Sequence, residues 1–311
     1  MPLSNETMKE FVETNPKLIT RRESKRYPGL FVLKYHNRVF YDGLWNVFLE
    51  NARGTIVDAD YNPVVMPFRK IYNRMERGED IPRDNECTAI RKINGFMGAA
   101  TYYPKLDEVL ISTTGSLDSP FADMAREYLT DHILDEVKKN PSHTWLFEIC
   151  HPDDPHIIHE TPGAYLIGAR EVKWNAQELT DQMVLDAVAV NMIDAKRPLW
   201  FDVRFSEIVQ RAKEATHEGY VVRDKQTGLI IKLKSPHYLI KKFLARIGQK
   251  KFTDFCNDPS NFKMNIDEEF YPLIDMILAN KETFITLKEQ DRLAFIENFF
   301  RETSPNAQDP Q

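Results

Sequence analysis

Cysteine is scarce in this chain. Only Cys87, Cys150 and Cys256 occur, far apart, odd in number and without a CxxC pair. A disulfide framework and a thiolate zinc site are therefore excluded as sources of stability, and a reducing compartment is favoured. No apolar run approaches the roughly 18–20 residues that cross a bilayer. The opening stretch MPLSNETMKEFVET is polar and acidic, with no apolar core of a signal peptide. The expected location is the cytoplasm, with no membrane partner. There is also no excess of positive charge: 41 Lys and Arg face 47 Asp and Glu, a net charge of -6. That excludes a uniformly basic nucleic-acid coat. An RNA partner would be held by a local cluster of cations, because salt screens phosphate attraction beyond about 10 Å. No internal repeat is visible.

What is present suits a globular protein. A chain of 311 residues buries roughly 75% of its unfolded surface and needs no staples. Residues 5–14 read as a short helix. Leu30 to Tyr41 alternates and is rich in β-formers, which predicts a strand. NARGTIVDADYNPVVMPF predicts a hairpin turned by Asp60, Asn62 and Pro63. TAIRKINGFMGAATYY reads as strand, tight turn, strand, and EVLISTT as a further strand. A helix is expected from Ser119, with Pro120 at its first position, to about Lys139, where Asn140-Pro141 stops it. HTWLFEIC and AYLIGAREV read as strands, residues 178–191 and 205–216 as helices, and GYVVRDKQTGLIIKLK as a hairpin. After Ser235-Pro236 the pattern is helical. Strands in hairpin order with inserted helices predict an α+β fold of antiparallel sheets flanked by helices. The expected division is a main domain over 1–244, a small all-helical C-terminal domain over 245–303, and a disordered tail over 304–311.

Five segments carry candidate chemistry: ARG at 52–54, KING at 92–95, FEI at 147–149, EGYVV at 218–222 and IKLK at 231–234. Each is weak alone; their order and placement at strand ends give the set its weight. Nucleotidyl transfer needs a nucleophile near the α-phosphate, cations for the triphosphate, a group for the ribose and usually a metal ion. A lysine nucleophile must first lose its proton, which nearby cations favour. Lys92 lies in a turn between strands, with Gly95 leaving room for a phosphate. Alternation puts Lys232 and Lys234 on one face and Ile231 and Leu233 on the other. Glu148 and Glu218 stand in apolar strands, where a carboxylate needs a partner. A ribose hydroxyl, an ammonium or a hydrated magnesium ion would each serve.

These ordered segments resemble the motifs of the covalent nucleotidyltransferase superfamily, which includes polynucleotide ligases and mRNA capping enzymes. NARGTIVD followed by MPFRKIYN is similar to the upstream signature of the RNA ligase 1 family, typified by bacteriophage tRNA-repair ligases. The likeness covers roughly residues 50–240. It implies the ligase adenylation fold and an ATP-dependent RNA ligase that joins 5′-phosphate and 3′-hydroxyl ends through lysyl-AMP and RNA-adenylate. It further implies that Lys92 takes AMP, that Arg53 and Lys70 contact the ATP phosphates, and that Glu148 bonds the ribose. Glu218 would act near the lysine and near Mg2+ or Mn2+, through water. Lys232 and Lys234 would bind the α-phosphate and the departing pyrophosphate, and Val221 would pack on adenine. The setting implied is RNA repair, with an end-healing kinase or phosphatase as partner, in the cytoplasm of a phage-infected host among others. Two positions depart from the pattern. The usual nucleophile motif is KxDG, and Asn94 here keeps the shape without the charge. Where phage relatives carry a lysine, this chain has Thr114.

Other readings compete. A DNA ligase or GTP-using capping enzyme normally carries an OB-fold after the last lysine motif, and that region here reads helical. A catalytically silent RNA-binding module would retain RNA binding without an adenylate. His151, His156 and His159, with Asp153 and Asp154, fit no zinc spacing and read as a polar loop. Lys241, Lys242, Arg246, Lys250 and Lys251 suit either a solvated helix face or an RNA-backbone patch.

Overall fold

Alternating runs of β-formers build three sheets in the computed structural model, which describes residues 2–303; the tail expected to be disordered, 304–311, lies outside the described residues. In chain order the strands are β1 (Ile19–Glu23), β2 (Phe31–Tyr35), β3 (Arg53–Val57), β4 (Pro63–Val65), β5 (Tyr72–Asn73), β6 (Glu86–Arg91), β7 (Phe96–Tyr103), β8 (Glu108–Thr113), β9 (His143–Cys150), β10 (Gly163–Glu171), β11 (Glu178–Leu179), β12 (Trp200–Arg204), β13 (Gly219–Asp224) and β14 (Ile230–Lys234). With the helices between and after them, this is an α+β chain. It divides into two compact units: one of residues up to 79, 93–154 and 160–201, the other of residues 80–92, 155–159 and from 202 onward.

In the first unit, β1-β2-β3-β4 form one antiparallel sheet and β11-β10-β9-β7-β8 another. Val32, Ile56 and Val65 from the first share a core with Ala99, Leu110 and Leu146 from the second. Helices cover the outer faces: Asn5–Thr14 buries Met8 and Val12 on the first sheet, and Pro120–Tyr128 and Asp131–Lys139 bury Ala125, Ile133 and Val137 on the second. The hairpin of β3 and β4 turns as its residues predict, with Asp58 Oδ1 accepting from the backbone N–H of Asp60 and Asn62 at 3.0 Å each.

Four elements differ from the sequence expectation. The helix expected over 178–191 starts only at Gln182 and ends at Ala189, because Glu178–Leu179 pairs as a strand with β10. The strand over 30–41 ends at Tyr35, and Asn37–Tyr41 is helical. The helix buries Val39 beside Leu33 and Leu49 and leaves Phe40 and Tyr41 exposed. The helix expected over 119–139 breaks at Leu129 and Thr130 into Pro120–Tyr128 and Asp131–Lys139. That break lets Ala125, Leu129, Ile133 and Val137 all reach one core. Finally, β6 and β7 flank a turn without pairing as a hairpin: β6 pairs with β13, and β7 with β8 and β9.

In the second unit β13 pairs antiparallel with β6 and β14. Ser235 ends β14 and caps the next helix, its hydroxyl accepting from Tyr238 N at 3.1 Å, with Pro236 in the first turn. Every described element from Pro236 to Thr303 is helical. These helices pack Leu244, Phe252, Leu273, Ile277, Phe284 and Ile296 into one core. The buried Arg292 guanidinium ties helix ends together by donating to the carbonyls of Ile247, Phe284 and Ile285 at 2.8–3.1 Å. The loop after β9 is only partly polar, since Ile157 and Ile158 pack with Tyr238, Ala245 and Leu293.

One helical contact is expected to make this unit sensitive to acid. His237 lies against Phe300 with ring centroids 4.5 Å apart and the planes tilted by 44°, and burial, helped by the Lys241 charge, pushes its imidazole from 6.5 down to about 4. The unfolded chain takes up this proton below about 6.5 and the folded chain only below about 4. The contribution is full above 6.5 and lost as pH falls toward 4. His237→Phe is expected to flatten the loss of thermal stability across that window; parallel curves for variant and wild type would refute the assignment.

Candidate active site

Lys92 follows β6 directly, and its backbone N–H donates to Gly219 O at 2.9 Å. That bond pins the end of β6 to the start of β13. Gly219 is in register with Lys234, and Val221 with Lys232. Lys232 and Lys234 are half-buried while Ile231 and Leu233 are buried, as the alternation requires. Glu218 stands immediately before β13 rather than within it, and its backbone carbonyl accepts from Ser235 N at 3.0 Å. Its side chain is only 3% exposed. Burying a carboxylate is unfavourable unless it is paired. Here Oε2 meets Lys92 Nζ at 2.7 Å and Oε1 meets Lys234 Nζ at 3.7 Å. Burial pulls the Lys234 ammonium below its usual pKa; Glu218 opposes that, and the charges of Lys242 and Lys92 add to it. Lys234 also lies over the Tyr238 ring, 5.2 Å from its centroid.

The first unit holds two further groups of expected residues. Gly95 N donates to Glu148 Oε1 at 3.1 Å. A Cβ on Gly95 would stand 2.2 Å from Ile149 O, so the glycine serves close packing of the turn on β9. Asn94 is buried beside it. Arg53 and Lys70 form the other group, around Glu76 and Tyr72. Lys70 Nζ pairs with Glu76 Oε1 at 2.5 Å and lies over the rings of Tyr72 and Trp45 at 4.6 and 5.0 Å. Burial holds the Arg53 guanidinium below its usual pKa, with Tyr35, Glu76 and Tyr72 opposing. Burial, with the bond its hydroxyl donates to Glu50, pushes the Tyr72 phenol up.

The expected residues thus fall into three groups: Lys92, Glu218, Val221, Lys232 and Lys234; Gly95 and Glu148; Arg53 and Lys70. Sequence reasoning missed Tyr238, Tyr72, Trp45 and Glu76. Tyr238 had a signal, because the Ser235-Pro236 helix start fixes its place next to Lys234. The aromatic residues around Lys70 had none, since isolated rings read as core.

Among the described residues no group of three or more His, Cys, Asp or Glu is placed to hold a metal ion. His151 instead meets Glu127 at 3.0 Å, and His159 lies 3.7 Å from Glu297. The basic stretch is partly structural: Lys241 is buried against Glu297 at 2.9 Å, and Arg246 pairs with Glu289 at 2.7 Å. No described helix is long and apolar enough to cross a membrane.

No model of a known protein family matches the sequence, and no curated protein is significantly similar to it. Solved structures are similar in fold. An archaeal ATP-dependent RNA ligase superposes in two forms: form 1 with TM-score 0.61 at 16% identity, form 2 with 0.59 at 14%, each over 93% of this chain and 81% of that one. A putative ATP-dependent DNA ligase from Aquifex aeolicus gives 0.58 at 16% identity, over 97% of this chain and 81% of the other. The chain therefore has the α+β fold seen in ATP-dependent polynucleotide ligases.

Proposed function

We propose that the protein is an ATP-dependent RNA ligase of the RNA ligase 1 type, with Lys92 as the nucleophile that takes AMP. One observation carries the reading: a buried carboxylate, Glu218, between the ammonium groups of Lys92 and Lys234. Lys92 Nζ attacks the α-phosphorus of ATP, a P–N bond forms, and pyrophosphate leaves. The 5′-phosphate of RNA then displaces Lys92 and carries AMP as a 5′–5′ anhydride. The 3′-hydroxyl of the other end attacks, a phosphodiester forms, and AMP departs. All are phosphoryl-type transfers, so the protein's work is positioning and charge balance. Lys232 and Lys234 balance the α-phosphate and pyrophosphate, Arg53 and Lys70 the outer phosphates, Glu148 holds the ribose, Gly95 keeps the turn close to it, and Val221 packs on adenine.

The ion pair with Glu218 favours the charged form of Lys92. Attack needs the free amine, so Glu218 must turn to another cation when ATP arrives. A divalent ion, Mg2+ or Mn2+, suits that role. Glu218 would hold it through water, and it would supply neutralisation of charge on the leaving group.

RNA is favoured over cap substrates because the segment after Lys234 is helical, where capping enzymes carry an OB-fold; the choice of RNA over DNA rests on the likeness of residues 51–58 and 66–73 to the RNA ligase 1 signature. We assign nucleotidyl transfer to 1–244 and RNA selection to the helices of 245–303, with ends supplied by a kinase or phosphatase in RNA repair. A silent RNA-binding module, the reading that Asn94 favours, would not account for the retained lysines. Mass spectrometry of the protein with ATP and magnesium is expected to find one AMP adduct, on Lys92. An adduct from GTP alone, or RNA binding with no adduct from either nucleotide, would overturn the reading.

A further inference from the structure

The acidic chain has a cationic cleft in its first unit. Lys17, Thr20, Lys34, His36, Asn37 and Arg38 help line an open depression of about 430 Å³ that has no carboxylate in its wall. Arg38 is held by Asp42 at 2.9 Å. Among the described residues, Lys17 and Lys34 have no acidic partner, and both are exposed.

Further cations gather beside the cleft at the turn after β8. Arg22 Nη2 donates to Gly115 O at 2.9 Å, and Lys34 Nζ lies 3.6 Å from where a Cβ on Gly115 would stand. Gly54 packs against the same turn, its Cβ position 2.6 Å from Thr114 Cα. Thr114 itself offers no charge, so the cations at this turn come from the β1–β2 hairpin instead. The basic stretch at 241–251, by contrast, has its Lys241 and Arg246 engaged by Glu297 and Glu289.

We infer that this cleft binds the sugar-phosphate backbone of single-stranded RNA, with Lys17 and Lys34 making the phosphate contacts and His36 and Asn37 hydrogen-bonding beside them. An open, one-sided cleft with dispersed cations suits an extended polyanion. The choice of RNA rests on the ligase reading above; the cationic surface does not.

The test uses the full chain and a fluorescent, 5′-phosphorylated single-stranded RNA of about 12 nucleotides, with anisotropy followed from about 50 to 200 mM salt. The Lys17→Gln/Lys34→Gln variant is expected to bind about tenfold more weakly, with the slope of log K against log salt reduced by about 1.4, or roughly 0.7 for each phosphate contact. Lys17→Arg/Lys34→Arg is expected to keep the wild-type slope, which separates charge loss from misfolding. An unchanged slope in the glutamine variant overturns the cleft. An equal loss on a DNA duplex of the same length overturns its assignment to single-stranded RNA. AMP uptake by the wild type is measured alongside. Uptake with an unchanged slope would leave the ligase reading standing without the cleft, and a reduced slope without uptake would leave the cleft standing without the ligase reading.

Discussion

Lys92→Ala is expected to lose covalent AMP uptake by a factor on the order of 10³ or more, as removal of a nucleophile does. The variant has a built-in complication. Glu218 is almost fully buried, and removing the ammonium at 2.7 Å takes away a close ion pair beside the longer one to Lys234 at 3.7 Å. An under-paired buried carboxylate costs on the order of 1–3 kcal/mol, so lost labelling in Lys92→Ala has two explanations. Lys92→Arg separates them. A guanidinium keeps a positive charge beside Glu218, yet it stays protonated and cannot attack. Lys92→Arg is expected to melt near the wild-type temperature and still take up no AMP in an autoradiographic assay with α-labelled ATP. Labelling in Lys92→Arg at the wild-type level would remove Lys92 from the nucleophile's role.

How much of this site was legible in advance depended on whether its signal was local. The lysine alternation in β14 was, because a strand's period of two decides the face of every residue, and the burial of Ile231 and Leu233 follows it. The pairing of Glu218 was half legible. A carboxylate beside an apolar strand demands a cation, but the sequence does not say that one lysine comes from 126 residues upstream. The Asn37–Tyr41 helix was not legible, because Phe40 and Tyr41 look like strand residues and are in fact exposed. Nor was the parting of β6 from β7, since the KING turn resembles a hairpin turn and partner choice is settled by distant strands. The cage around Lys70 shows the same limit: Trp45 and Tyr72 are dispersed in sequence and meet only through the fold.

Gly219 is where fold and chemistry are most tightly joined, and Gly219→Ala is expected to damage both. Its φ of +122° lies in a region that L side chains rarely adopt, and a Cβ there would stand 2.0 Å from Leu233 O and 2.9 Å from Lys234 Cα. Both contacts are backbone, which cannot swing aside. The conformation costs roughly 1–3 kcal/mol, and the overlap about as much again. The strain falls between Glu218 and the strand that carries Lys234, and on the carbonyl that accepts from Lys92 N. Relief by parting β13 from β14 would pull Glu218 away from Lys234, so AMP uptake should fall more than the folded fraction does. Gly228 gives the control. It also has positive φ, +73°, but a Cβ there meets nothing within 4 Å, so Gly228→Ala should pay only the conformational part and leave labelling intact. Thermal melts and AMP labelling of the two variants, measured side by side, decide the matter. Equal losses in both would mean that the close approach of Gly219 to Leu233 is not what holds the lysines and Glu218 together.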